Sequence, residues 1–245
     1  MRIARLVTTL VLTAHGSADP RSAANTRAVA ARVARMRPGL DVRVAFCEHN
    51  SPGLAEVLHA CREGAVVTPL LLADAYHARV DIPAQIAACD PARRGITVRQ
   101  ADVLGEDDRL VSVLRQRVRQ SGIRHDDAAA GVVVVAIGSS DPAANTRTAQ
   151  VAPKLLAGTR WAATTAYATR PEPSLADAVE GLRRQGAHHL VIAPWFLAPG
   201  RVPDRVRRFA DDAGIPMAAP LGAHPLVAET VLDRFDRVLA ARVAA

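Results

Sequence analysis

The sequence predicts an α/β fold: two tandem modules, each a four-stranded parallel sheet flanked by helices, facing each other across a cleft. Three observations predict it. Apolar, β-branched runs alternate with helical patterns along all 245 residues, as βαβ units require. The stretch HGSADPRSAANTR at 15–27 returns as IGSSDPAANTR at 137–147, with isoleucine in place of histidine. Further pairs then follow in the same order: Pro52-Gly53-Leu54 with Pro173-Ser174-Leu175, Gly64-Ala65 with Gly186-Ala187, Thr68-Pro69 with Ala193-Pro194, and Leu104-Gly105 with Leu221-Gly222.

The first strand, 6–13, falls in LVTTLVLTA. Its counterpart VVVVAIG, at 132–138, lies mid-chain, so the basic and apolar start of the chain reads as a buried strand rather than a signal peptide. A helix at 22–36, a strand at 41–47 and a helix at 52–62 follow. The third strand, 65–72, leads to a helix at 81–88, and the fourth, 96–102, to a helix at 107–120. The polar SGIRHDDAAAG, 121–131, is the natural linker, dividing the chain into modules 1–125 and 131–245. In the second module strands are expected at 132–138, 161–168, 189–197 and 215–219, with helices at 143–157, 173–184, 203–212 and 225–241.

Composition narrows the function. The 49% of apolar residues supply a sizeable core, which rests on Ala, Val and Leu because aromatics are only 3%. Cys47, Cys61 and Cys89 are odd in number and lack CxxC spacing, which argues against a disulfide framework, a zinc ribbon or an iron–sulfur site and fits a reducing cytosol. No apolar run approaches the ~20 residues needed to span a bilayer. The net charge of +7 is carried almost wholly by dispersed arginines, Lys154 being the sole lysine. With no basic stripe interleaved with aromatics, a nucleic-acid partner is not indicated, and a multiply anionic small molecule suits the charge.

In an open α/β sheet, ligands bind beyond the carboxyl ends of the strands, where strand order reverses. In the first module His15 follows strand one, Glu48 strand two and His77 strand three. With strand order 2-1-3-4, His15 and His77 meet across the crevice mouth with Glu48 to one side. The matching positions of the second module are Ile137, Thr169 and, after a deletion, Gly200, so all three functional groups are absent there. Imidazole and carboxylate suit a borderline divalent metal such as Fe, Co, Ni or Zn, and both accept protons near neutral pH. No third histidine or thiolate closes a structural zinc site, and an open, weakly held metal fits transit better than storage. His49, His59, His125, His188 and His189 show no such convergence and read as surface or core residues; His224 reads as a cap-region residue of the last helix.

At these residues the sequence resembles the class II tetrapyrrole chelatases, specifically the sirohydrochlorin chelatase family in its long, two-module form. The match is carried by LTAHGSADPRSAAN, VAFCEHNSPGL, PLLLADAYHARVDIP and the closing PLGAHPLVAE, and spans essentially the whole chain. The resemblance implies flavodoxin-like modules and insertion of Fe²⁺, preferred over Co²⁺, into sirohydrochlorin, for siroheme or cobalamin synthesis. It implies His15 as metal ligand and proton acceptor and His77 as second metal ligand. Glu48 either orients the metal or takes a proton. Leu71, Leu72, Ala73, Asp74, Ala75 and Tyr76 would lie along the macrocycle, with Ser51 a further contact. ADAY replaces the usual glycine-rich approach to the second histidine, which predicts a stiffer loop. Arg21, Arg79 and Arg201 are candidates to pair with substrate carboxylates. The metal is substrate and no tightly bound cofactor is expected; the chain is expected to be cytoplasmic, free of membrane and nucleic acid, and monomeric. A non-catalytic tetrapyrrole or metal carrier would use the same ligands. A histidine phosphatase is disfavoured because Ala14 stands where that class needs arginine.

Overall fold

The computed structural model describes residues 8–243; residues 6 and 7 of the expected first strand lie outside them. Each repeat is built on a central strand buried along nearly its whole length, because helices cover both faces of a parallel sheet. In the first repeat that strand is β1, Thr8–Ala14, buried from Thr9 onward. It pairs in parallel with β2, Val42–Phe46, and with β3, Gly64–Pro69, which in turn pairs with β4, Thr97–Gln100. The order β2-β1-β3-β4 places the reversal between β1 and β3, as expected.

Local signals set the helices between these strands. Helix α1, Pro20–Met36, starts where the Asp19 carboxylate accepts from the Arg21 N–H and Pro20 has no N–H in need of an acceptor, and it buries Ala23, Thr26, Val29, Ala30 and Val33 on one face. Helix α2, Leu54–His59, is shorter than the expected 52–62. The Arg94 guanidinium explains the early stop, taking the carbonyls of Leu58, His59 and Cys61 at 3.0, 2.8 and 3.2 Å. Helix α3, Ile82–Ala88, is preceded by a π-helical turn, His77–Asp81, absent from the expectation. There the Ile82 N–H reaches back five residues to the His77 carbonyl, and Pro83 has no N–H to resume a four-residue ladder one step later. Val11, Leu58, Val67 and Ile82 are among the fully enclosed side chains beneath these elements.

Helix α4, Asp108–Gln120, follows the first sheet in sequence. In the second repeat β5, Ala130–Ala136, is buried throughout and lies between β6, Ala162–Tyr167, and β7, His189–Pro194, in a parallel sheet. This sheet has three strands, not four. The expected strand at 215–219 makes one bridge, Met217 to Ile192, because Pro216 within it and Pro220 just past it cannot donate to a ladder. The expected helix at 143–157 is two: α5, Pro142–Ala149, and α6, Val151–Leu155, broken where Pro153 removes the bond to the Ala149 carbonyl. Helices α7, Leu175–Arg184, α8, Arg201–Asp212, and α9, Pro225–Val243, complete the chain.

Two compact units result: Met1–Gly105 with Val227–Ala245, and Glu106–Leu226. The last helix of each repeat is therefore counted with the other repeat's sheet. Within the first unit the Arg234 guanidinium on α9 donates to the carbonyls of Val103 and Leu104 at 2.9 and 2.8 Å. Within the second, Arg115 on α4 donates to the carbonyls of Leu155 and Lys154 at 3.1 and 2.9 Å. Among the described residues, no helix is long and apolar enough to cross a membrane.

Candidate active site

Beyond the last paired residues of β1 and β2 the two chains stay zipped together. The Cys47 N–H donates to the Ala14 carbonyl and the Glu48 N–H to the His15 carbonyl, each at 3.0 Å. Gly16 makes this possible. Its φ is +97°, and a Cβ there would overlap the Glu48 carbonyl oxygen. Asn50 braces the two loops: its Oδ1 accepts from the Ser17 N–H at 2.8 Å, and its own N–H donates to the Glu48 carbonyl at 2.8 Å.

His15 and Glu48 consequently lie side by side, Nε2 to Oε1 at 3.1 Å. His15 Nδ1 is 2.9 Å from the Gly16 carbonyl. Both ring nitrogens face acceptors, an arrangement satisfied by an imidazolium or by a neutral ring whose Nε2 holds a cation. His77 opens the π-helical turn after β3, and its ring meets that of His15 edge-on, the centroids 4.1 Å apart at 89°. The three side chains are partly open to solvent, at 36% for His15, 49% for Glu48 and 39% for His77, so a hydrated cation can reach them. No three His, Cys, Asp or Glu side chains among the described residues are gathered on a single metal position.

Three neighbours escaped the sequence reading. His49, read there as surface or core, stands at the site with its Nε2 3.1 Å from Glu48 Oε1, so the carboxylate lies between two imidazoles. Its backbone sits at φ 63°, a left-handed conformation unusual for a non-glycine residue and invisible in sequence. Asp81 Oδ2 lies 3.1 Å from His77 Nδ1, and Oδ1 accepts from Gln85 Nε2 at 2.9 Å. Burial pushes the Asp81 carboxyl up, but the hydrogen bonds from Gln85 and His77 and the nearby imidazoles outweigh it and hold it below the usual carboxylate value. The spacing of four residues from His77 to Asp81, and four more to Gln85, is the signal that would have found this pair. Burial, followed by the charges of Asp81 and Glu48, pushes the Cys47 thiol up to about 12, leaving it a neutral thiol rather than a thiolate ligand.

The other expected contacts lie on the same strand-end loops. Ser51 is exposed, and its carbonyl accepts from Arg27 at 3.3 Å. Leu71 packs partly against the core, Leu72, Ala73, Asp74 and Ala75 are half-buried, and Tyr76 is 65% exposed with its ring beside His77. Arg21 and Arg79 are held by Asp19 and Asp74, at 2.6 and 2.8 Å. Arg201 opens α8 in the other compact unit. His59 and His189 are taken up by the Ala55 carbonyl and Asp127, and His224 Nδ1 accepts from the Leu226 N–H at the start of α9, the cap-region place expected for it.

The CbiX family model matches residues 9–121 and again 131–238, once on each repeat. The chain belongs to the CbiX family. Among curated relatives, the sirohydrochlorin ferrochelatase of Priestia megaterium is 27% identical over 224 residues, covering 86% of this chain and 84% of its own length. The sirohydrochlorin cobaltochelatase of the same organism is 25% identical over 247 residues, covering 94% and 79%. The fold matches that of SirB from Bacillus subtilis, solved with Fe³⁺, at a TM-score of 0.82 and 21% identity over 94% of each chain. The resemblance to sirohydrochlorin chelatases carried by the motifs therefore holds across both repeats.

The second CbiX repeat keeps the scaffold without the two imidazoles and the carboxylate. The Ala168 N–H donates to the Ala136 carbonyl and the Thr169 N–H to the Ile137 carbonyl, at 2.8 and 3.1 Å, the same zip as in the first. Gly138, at φ +92°, meets the Arg170 carbonyl as Gly16 meets that of Glu48. Yet Ile137 stands where His15 does, half-exposed, and the Thr169 hydroxyl is spent on the Ile137 carbonyl at 2.6 Å. Helix α8 begins after Gly200 as a regular α-helix, without the π turn that carries His77.

Proposed function

We propose that this chain is a sirohydrochlorin chelatase that inserts Fe²⁺, in preference to Co²⁺, into the polycarboxylate macrocycle, acting as a cytoplasmic monomer in siroheme or cobalamin synthesis. The chemistry belongs to the first module, 1–125, and the module at 131–245 is degenerate. The observation that carries this is the meeting of His15, Glu48 and His77 at three strand ends of one repeat, against Ile137, Thr169 and Gly200 in the other. The free thiols Cys47, Cys61 and Cys89 support a reducing compartment.

Metallation requires a hydrated cation to shed water and two pyrrole N–H protons to leave. His15 Nε2 and His77 replace water on the cation with labile nitrogen donors. Partial exposure keeps that binding weak enough to release the metal to the ring. Glu48, between His15 and His49, takes the leaving protons or steadies the cation. Ser51 and the segment from Leu71 to Tyr76 contact the ring, with Tyr76 presenting an apolar face.

Nitrogen and oxygen donors accept iron and cobalt alike, and curated relatives include both a ferrochelatase and a cobaltochelatase. The test is a competition assay with purified protein and sirohydrochlorin, following absorbance with Fe²⁺, Co²⁺ or Ni²⁺. Turnover with the fastest rate for Fe²⁺ is expected. Faster turnover with Co²⁺ refutes the metal preference, and binding of ring and metal with no acceleration makes the protein a carrier.

A further inference from the structure

We infer that Asp81 and Gln85 are positioning residues that hold the His77 ring with its proton on Nδ1 and its Nε2 lone pair free. The inference rests on the chelatase reading for what His77 does; its geometry is independent of that reading.

The Asp81 carboxylate has an acceptor atom for each of two donors. Oδ2 lies 3.1 Å from His77 Nδ1, and Oδ1 accepts from Gln85 Nε2 at 2.9 Å. An ionised carboxylate only accepts, so Nδ1 must carry the proton; the other tautomer would set a lone pair against the carboxylate. The same Gln85 amide donates to the Cys47 carbonyl at 3.3 Å. Cys47 directly precedes Glu48, so one side chain ties the helix that follows His77 to the strand end that carries the carboxylate. Asp81 is the least exposed ionisable group of the set, at 25%, and closes the π turn that His77 opens. Outer partners of this type fix the orientation of a ligating imidazole and raise its basicity.

The test uses the full chain with Asp81→Ala, Asp81→Asn and Gln85→Ala. Long-range ¹H–¹⁵N spectra of the imidazoles, recorded about two pH units above the ordinary imidazole value, read the His77 tautomer. Titration with Co²⁺ alone, without tetrapyrrole, reads metal affinity. The intact protein is expected to show His77 protonated on Nδ1. In Asp81→Ala the proton moves largely to Nε2 and Co²⁺ affinity falls about 10- to 100-fold. Asp81→Asn, which still accepts from Nδ1 but cannot serve Gln85 as well, falls in between. Gln85→Ala keeps the tautomer and weakens Co²⁺ binding by a smaller factor. An unchanged tautomer and unchanged Co²⁺ affinity in folded Asp81→Ala overturn the proposal; if the alanine variant does not fold, an unchanged Co²⁺ affinity in Asp81→Asn overturns it, since that variant keeps an acceptor for Nδ1. Should the intact protein fail to metallate sirohydrochlorin, the chelatase reading falls, while the tautomer and Co²⁺ shifts still judge the positioning role.

Discussion

Replacing Gly16 with alanine tests how the backbone sets the distance between His15 and Glu48. At φ +97° an L-residue is strained by about 1–2 kcal/mol before any contact is counted. The new Cβ also overlaps the Glu48 carbonyl, so the two loops must part. That breaks the bond from the Glu48 N–H to the His15 carbonyl, a further loss of about 1 kcal/mol. Urea unfolding should therefore show Gly16→Ala destabilised by about 2–3 kcal/mol. Loops forced apart by on the order of 1 Å misalign His15 against Glu48, a displacement that costs a reacting geometry about 100-fold. Metal insertion per folded molecule should fall by that factor. Gly138→Ala supplies the control, because its φ of +92° and its overlap with the Arg170 carbonyl reproduce the strain in the repeat without the ligands. It should lose similar stability and keep its activity per folded molecule. Full activity in folded Gly16→Ala, or equal losses of specific activity in both variants, would refute the reasoning.

Further outcomes follow from single side chains. His15→Ala should abolish metal insertion with the circular dichroism spectrum unchanged, since the ring is partly exposed and supports no core packing; changes at Ile137 or Thr169 should leave metal chemistry intact. Arg94→Ala removes a side-chain donor from three carbonyls at and just past the end of α2 and should lower the urea midpoint by an amount equivalent to about 1–2 kcal/mol. Cys47, with its thiol pushed to about 12 from an ordinary value of 9.0, should resist alkylation at pH 9 in the folded protein and react on unfolding. Because the folded value is the raised one, this thiol's contribution to stability is complete below pH 9.0 and is lost as pH climbs toward about 12.

The elements legible in the sequence are those whose pattern states their environment. β1 and β5 read as strands because short runs rich in Val, Thr and Leu, without charges, fit a sheet covered on both faces, and the strand ends then located His15, Glu48 and His77. The failures are places where one residue's missing or extra hydrogen bond decided the outcome. Pro153 split a helix whose apolar period continues across it, and Pro216 with Pro220 reduced a strand to a single bridge. The early end of α2 depends on Arg94, 35 residues beyond the last carbonyl of that helix, and local pattern cannot report it. His49 was missed for a conformational reason: its left-handed backbone turns an otherwise ordinary loop histidine back onto Glu48.

The two repeats brace the same backbone donor differently, and this shows how the first keeps its carboxylate in place. In the second repeat the Ser139 N–H is met by Asn145 of α5, whose amide also donates to the Ser139 carbonyl, at 2.9 and 2.7 Å. That side-chain brace is internal to one loop and its own helix; the strand end before Thr169 reaches Asn145 only through the Tyr167 hydroxyl, which donates to the Asn145 backbone carbonyl at 2.9 Å. In the first repeat the equivalent Ser17 N–H is met by Asn50, from the loop that carries Glu48 and His49. The same hydrogen bond therefore does two things there: it satisfies the loop after β1 and fixes the carboxylate loop against it. Asn50→Ala should let Glu48 move relative to His15, lowering the rate of metal insertion by up to about 100-fold, the order that a displacement of about 1 Å costs a reacting geometry. Asn145→Ala, which removes a buried side chain with two hydrogen bonds, should cost about 1–3 kcal/mol of stability and leave the rate per folded molecule unchanged. Steady-state metallation beside urea unfolding separates the two. If Asn145→Ala loses rate as Asn50→Ala does, the second repeat's loops contribute to the chemistry directly.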